Sequence, residues 1–163
     1  VNNIGPAART GAWLAGQNDY ATFLEPEAST LEKEGKAFPL GSVGKEPGMV
    51  DYTVFTTTDD YLKKNPAVIK AWAKAVANSQ KYTADAPSAE LADLVSEYFT
   101  GVSKPELISA IDRYKGLNIW KKTPLVDQQA MDKLQDMLVQ GGVLEANKKV
   151  AYTKFVDMGH LPQ

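Results

Sequence analysis

Residues 1–43 read VNNIGPAARTGAWLAGQNDYATFLEPEASTLEKEGKAFPLGSV, and the fold turns on how they are parsed. An apolar opening, Val1–Ile4, meets Gly5-Pro6, and an alanine-rich run then closes at Gly16. Tyr20–Leu24 is short and apolar, Glu25-Pro26 follows, a second helical run reaches Gly35, and Ala37–Val43 is apolar again. Pro6 and Pro26 suit a first helical turn, where a missing N–H costs nothing, and Gly16 and Gly35 suit the left-handed residue that ends a helix. Tyr20–Leu24 is too short and too apolar for another helix and suits a buried strand. The resulting strand–helix–strand–helix–strand order predicts a parallel sheet with right-handed crossovers. Gly5-Pro6 and Glu25-Pro26 then fall at the strands' carboxyl ends, where open α/β sheets bind ligands.

Beyond this stretch the pattern changes. Gly41–Val50 is rich in glycine and reads as a loop, and Asp51–Thr57, β-branched and aromatic, reads as a strand. Thr57 or Thr58 can cap a short helix opening on Asp59-Asp60. Asn65-Pro66 starts a longer helix with Ile69, Trp72, Ala73 and Val76 on one face and Lys70, Lys74 and Asn78 opposite, which predicts Trp72 and Val76 buried and the lysines exposed. Leu91, Leu94, Val95 and Tyr98 mark the next stripe, Ser103-Lys104-Pro105-Glu106 is a capping box, and Asn118–Pro124 is an irregular link. Met131, Leu134 and Leu138 mark a helix ended by Gly141-Gly142, and Ala146–Phe155 reads as a last short one.

The bulk numbers are those of a globular chain: 163 residues, 44% apolar, 23% charged, with a formal net charge of −2. Scattered Lys and Arg argue against nucleic acid or an anionic membrane as partner. Zero cysteines exclude disulfides, thiolate metal sites and cysteine nucleophiles.

Gly16-Gln17-Asn18-Asp19-Tyr20, Phe23-Leu24-Glu25-Pro26 and Leu31-Glu32-Lys33-Glu34-Gly35-Lys36 together resemble part of one group of ABC-transporter periplasmic solute-binding proteins. That group binds aliphatic sulfonates, taurine, nitrate and the thiamine pyrimidine precursor, and its usual pattern is Gly-x-(Val/Ile)-Asp-Ala followed by a strand ending in Trp-Glu-Pro. Here Asn18 replaces the aliphatic residue, Tyr20 the alanine and Leu24 the tryptophan, departures that bear on ligand identity. Tyr52–Thr57 and Asp60-Tyr61-Leu62-Lys63-Lys64-Asn65-Pro66 resemble the group's return strand and the helix start after it.

The resemblance implies an α/β fold of the type II periplasmic-binding-protein kind, present as a C-terminal fragment with a helix-rich second part. Residues 1–50 would be part of the second lobe, 51–58 the crossover or hinge, and 59–163 a helix-rich return to the first lobe. It implies a bacterial periplasmic or lipid-anchored extracytoplasmic protein that captures a small polar organic ligand or anion between two lobes and docks on an ABC permease. It implies no cofactor, and a further partner in the missing N-terminal half of its own fold or a swapped chain. The same group includes a thiamine-pyrimidine synthase relying on histidine and a cysteine-rich loop, whereas this chain has no cysteine and a single histidine among its last residues. A helical interaction module over residues 65–157 is a third reading.

Candidate ligand-binding residues follow. Glu25 ends a strand before a helix, where it could accept bonds from a ligand's amine or cap its own helix. Tyr20, Phe23 and Tyr52 sit on or beside the expected strands, where aromatics pack on a ligand or fill a core. Trp120, in the polar link, fits no helix stripe and covers a core edge or faces the cleft. No residue is assigned a catalytic or metal role: His160 is the single histidine and lies in the tail, and Asp59-Asp60 diverge in direction. No P-loop follows Gly41–Gly44.

Overall fold

The computed structural model describes residues 4–161, in two compact units, Val1–Val43 with Pro87–Tyr114 and Gly44–Ala86 with Lys115–Gln163. Helices α1 (Pro6–Leu14), α2 (Glu27–Lys33), α3 (Asp59–Lys64), α4 (Pro66–Asp85), α5 (Ser88–Val95), α6 (Lys104–Leu117) and α7 (Gln128–Gln140) carry the chain, with short 3-10 turns between some of them. The end signals expected from sequence appear as geometry. Gly16, Gly35 and Gly142 take φ of 70, 68 and 70°. After each, the next N–H reaches back to close the last turn: Gln17 to Ala12, Lys36 to Leu31 and Val143 to Leu138. The Thr58 hydroxyl accepts from the Tyr61 N–H at 3.2 Å, and Asp127, a cap the sequence reading did not single out, accepts from Ala130 N–H at 2.8 Å.

The expected α/β sheet is absent, and this corrects the type II periplasmic-binding-protein fold drawn from sequence: among the described residues no strand forms. Of the segments expected as strands, 20–24, 37–43 and 51–57 are irregular apart from the 3-10 turn that begins at Val43, and Val1–Ile4 lies outside the described residues except for Ile4. The reason is where backbone bonds can close. A helix satisfies its N–H and C=O groups within one segment, whereas a strand exists only beside a second one that takes them. These segments have strand composition and no ladder partner here, so Tyr20, Leu24, Phe38, Leu40, Tyr52 and Phe55 stay exposed. Side-chain bonds take the place of a ladder at 20–24: the Arg9 guanidinium donates to the Thr22 carbonyl at 2.8 Å, and Trp13 packs edge-on to Phe23, centroids 6.0 Å apart.

In the first unit, Leu31, Leu91, Ala92, Leu107, Ala110 and Ile111 form the buried apolar set, drawn from α2, α5 and α6. The capping box is formed: the Ser103 N–H donates to Glu106 Oε2 at 2.8 Å, and the Ser103 hydroxyl donates to the same oxygen. The Ser103 bonds hold the Glu106 carboxyl below its ordinary range, with Lys33 Nζ, 3.4 Å away, adding to the effect.

The second unit buries Ala86, Ala130 and Met131. Its longest helix, α4, buries no residue. Lys70 and Lys74 are exposed as expected, but Trp72, expected in the core, is 55% exposed. Its indole meets the Phe55 ring edge-on, centroids 5.3 Å apart. The helix forms where expected, but its stripe is only partly covered among the described residues: Ile69, Ala73 and Val76 are half-buried, none is buried, and Trp72 is exposed. The expected last helix over Ala146–Phe155 is two 3-10 turns, Ala146–Lys148 and Tyr152–Lys154.

Candidate functional site

Glu25 sits just ahead of α2, and its side chain is only 4% exposed. Oε2 accepts the Ser29 N–H at 3.1 Å, which ties off one of the free donors of the helix's first turn. Oε1 lies 3.2 Å from Arg113 Nε, an ion-pair contact without hydrogen-bond alignment. The same guanidinium binds Glu32, and the Glu25 N–H donates to the Tyr114 hydroxyl at 2.9 Å. One cation between two carboxylates leaves the cluster at −1. Arg113 and Tyr114 are adjacent on α6, nearly ninety residues from Glu25, and no local pattern in the sequence pointed to them.

The other candidates in this unit part company. Phe23 is half-buried against Trp13, whose indole N–H donates to the Lys36 carbonyl at 2.9 Å. Tyr20 is exposed. A shallow cavity of about 230 Å³ lies beside the Glu25 cluster, lined by Ser29, Glu32, Lys33, Pro105, Glu106 and Ser109. Its charged groups are already engaged, Lys33 with Glu106 and Glu32 with Arg113, so it offers a ligand few open partners.

Tyr52 and Trp120 belong to the second unit, 80% and 38% exposed. Beside them is a feature absent from the sequence reading. Asp51, its side chain 5% exposed, takes Lys121 Nζ on both oxygens, at 2.8 and 2.9 Å. Asp51 Oδ2 also accepts the Asp127 N–H at 2.6 Å. Lys121 Nζ donates further to the Leu125 carbonyl, and the Tyr152 hydroxyl donates to the Val126 carbonyl at 2.6 Å. The link over Asn118–Pro124 is therefore tied down through Lys121, and Leu125, Val126 and Asp127, which follow it, each take part in a further bond. Sequence could have flagged Asp51 only as an acid opening a strand-like run, and Lys121 only as one lysine among many.

Among the described residues no group of His, Cys, Asp or Glu could hold a metal ion. His160 Nε2 approaches Asp157 Oδ2 at 3.5 Å within the tail. Asp59 and Asp60 occupy the first turn of α3, complementing its dipole. No helix among the described residues is long and apolar enough to cross a membrane.

No protein-family model matches the chain, and no solved structure matches it. Two curated proteins do. One is YtlA of Bacillus subtilis (strain 168), provisionally named a binding protein, 28% identical over 157 residues, which is 96% of this chain and 46% of that protein. The other is the taurine-binding periplasmic protein of Escherichia coli (strain K12), 29% identical over 117 residues, 72% of this chain and 33% of that protein. The chain thus spans less than half the length of the curated relatives it matches. Both are named for binding and neither for catalysis, which speaks against the synthase alternative. The chain is thus similar, at low identity, to two proteins named for binding.

Proposed function

We propose that the chain is part of the extracytoplasmic solute-binding component of an ABC importer, taking a small polar organic ligand or anion and handing it to a membrane permease. The observation that carries the reading is the match of 96% of the chain to a relative named for binding, supported by a second relative named as periplasmic and taurine-binding. Glu25, Tyr20, Phe23, Tyr52 and Trp120 remain the proposed ligand contacts. Glu25 is the member whose surroundings weigh most against a direct role, since its carboxylate already serves Ser29 and Arg113. The test is a thermal-shift screen of the full-length protein against taurine, other sulfonates, nitrate and amino acids. A ligand at about a hundred times its Kd should stabilise by about 2.7 kcal/mol. A flat response across all four classes would overturn the reading.

We propose also that the exposed apolar side chains of residues 37–57 and of α4 are covered in the working protein by polypeptide outside these 163 residues, from a missing N-terminal half or a swapped chain. Two supports are Phe38 and Leu40, each 82% exposed in segments of strand composition. Unpaired segments of this kind invite pairing with another chain. The isolated 163 residues should therefore run on gel filtration as an associated species; a compact monomer with reversible two-state unfolding would rule the proposal out.

A further inference from the structure

We propose that Asp51 is a positioning residue: through its buried ion pair with Lys121 it holds Tyr52 and Trp120 as a pair of aromatic contacts for a small solute with an alkyl or cationic face. The solute part of the inference rests on the proposed binding function; the positioning part does not.

The sequence places one aromatic beside each end of the ion pair, a single Cα step of about 3.8 Å from it. Asp51 is buried while Tyr52 faces outward, and Lys121 reaches inward from beside the part-exposed Trp120. The Lys121 ammonium spans both Asp51 oxygens and the Leu125 carbonyl, and Asp127 N–H completes the carboxylate's partners. A buried pair of this kind gains little net stability, because the desolvation of two charges offsets their attraction. What it does set is which segments meet: here residue 51, the link at Lys121 and the Asp127 cap ahead of α7. The link opens at Asn118 with φ 54°, the only non-glycine positive φ among the described residues. Asn is one of the few residues that takes this left-handed conformation readily, and here it closes α6, its N–H donating to the Lys115 carbonyl at 2.9 Å, and fixes where the link leaves the helix. A phenol and an indole, exposed and held by a rigid support, are suited to packing on alkyl groups and to facing a cation.

The experiment uses the full-length protein carrying 5-fluorotryptophan, with the Trp120 resonance assigned by its loss in Trp120→Phe. Asp51→Asn should move the Trp120 fluorine resonance and raise its solvent isotope shift, whereas Lys121→Arg, which keeps the pair, should leave both near wild type. With taurine as the probe, Asp51→Asn should weaken binding by at least about fivefold, as should Tyr52→Ala, and the double variant should lose no more than the worse single one. An unmoved Trp120 resonance in Asp51→Asn overturns the proposal, as does full additivity with Tyr52→Ala. A moved resonance in a protein that binds no taurine supports the positioning role and counts against the solute reading alone.

Discussion

Replacing Arg113 by Met is expected to destabilise the first unit by about 3 kcal/mol. Arg113 holds Glu25, whose side chain is 4% exposed, and Glu32 at once. Removing the guanidinium leaves the Glu25 carboxylate in place, out of water, with only the Ser29 N–H on one oxygen. Breaking a buried pair from one side costs about 3–5 kcal/mol because the remaining charge is uncompensated. The low end applies because Arg113 is itself 29% exposed, so water enters when it goes. Glu32, 44% exposed, simply returns to solvent. The companion variant decides the mechanism: Glu25→Gln on the Arg113→Met background should recover much of the loss, since it removes the stranded charge and keeps an acceptor for Ser29. Urea unfolding followed by circular dichroism measures both. A loss under about 1 kcal/mol for Arg113→Met, or no recovery in the double variant, would show that Glu25 is solvated and that the pair contributes as an exposed one does.

That cluster also shows what a one-dimensional reading reaches. Glu25 was legible because its two alternatives, cap or ligand contact, are local chemistry at a helix start. Arg113 was not, because an arginine on a helix face carries no mark of the distant acid it will meet. The same division runs through the fold. Gly16, Gly35, Gly142, Thr58 and the Ser103–Glu106 box were readable because each acts within one turn of its own helix. The sheet was misread for the opposite reason: Tyr20–Leu24 and Asp51–Thr57 have strand composition, but composition does not provide the neighbour that makes a strand. Asp51 and Lys121 lay hidden in the same way, seventy residues apart.

Burial rather than residue size decides the other large effect. Leu107, 3% exposed within the buried set of α2, α5 and α6, should lose about 2–5 kcal/mol of stability as Leu107→Ala, through lost transfer energy and the cavity left behind. Trp72 is the bigger side chain, and the helical stripe alone would give it the larger cost. At 55% exposure, with an edge-on contact to Phe55 at 84°, Trp72→Ala should lose only about 0.5–1.5 kcal/mol in the 163-residue chain. Denaturation of both variants at high dilution, where association is suppressed, tests the order. If Trp72→Ala costs as much as Leu107→Ala there, then the Trp72 face of α4 is covered from within these 163 residues. The same pair in the full-length protein asks a different question. A Trp72→Ala loss that rises towards about 3–5 kcal/mol only in the longer chain would place the α4 face under polypeptide beyond these residues, and an unchanged small loss would leave it open to solvent or to a partner.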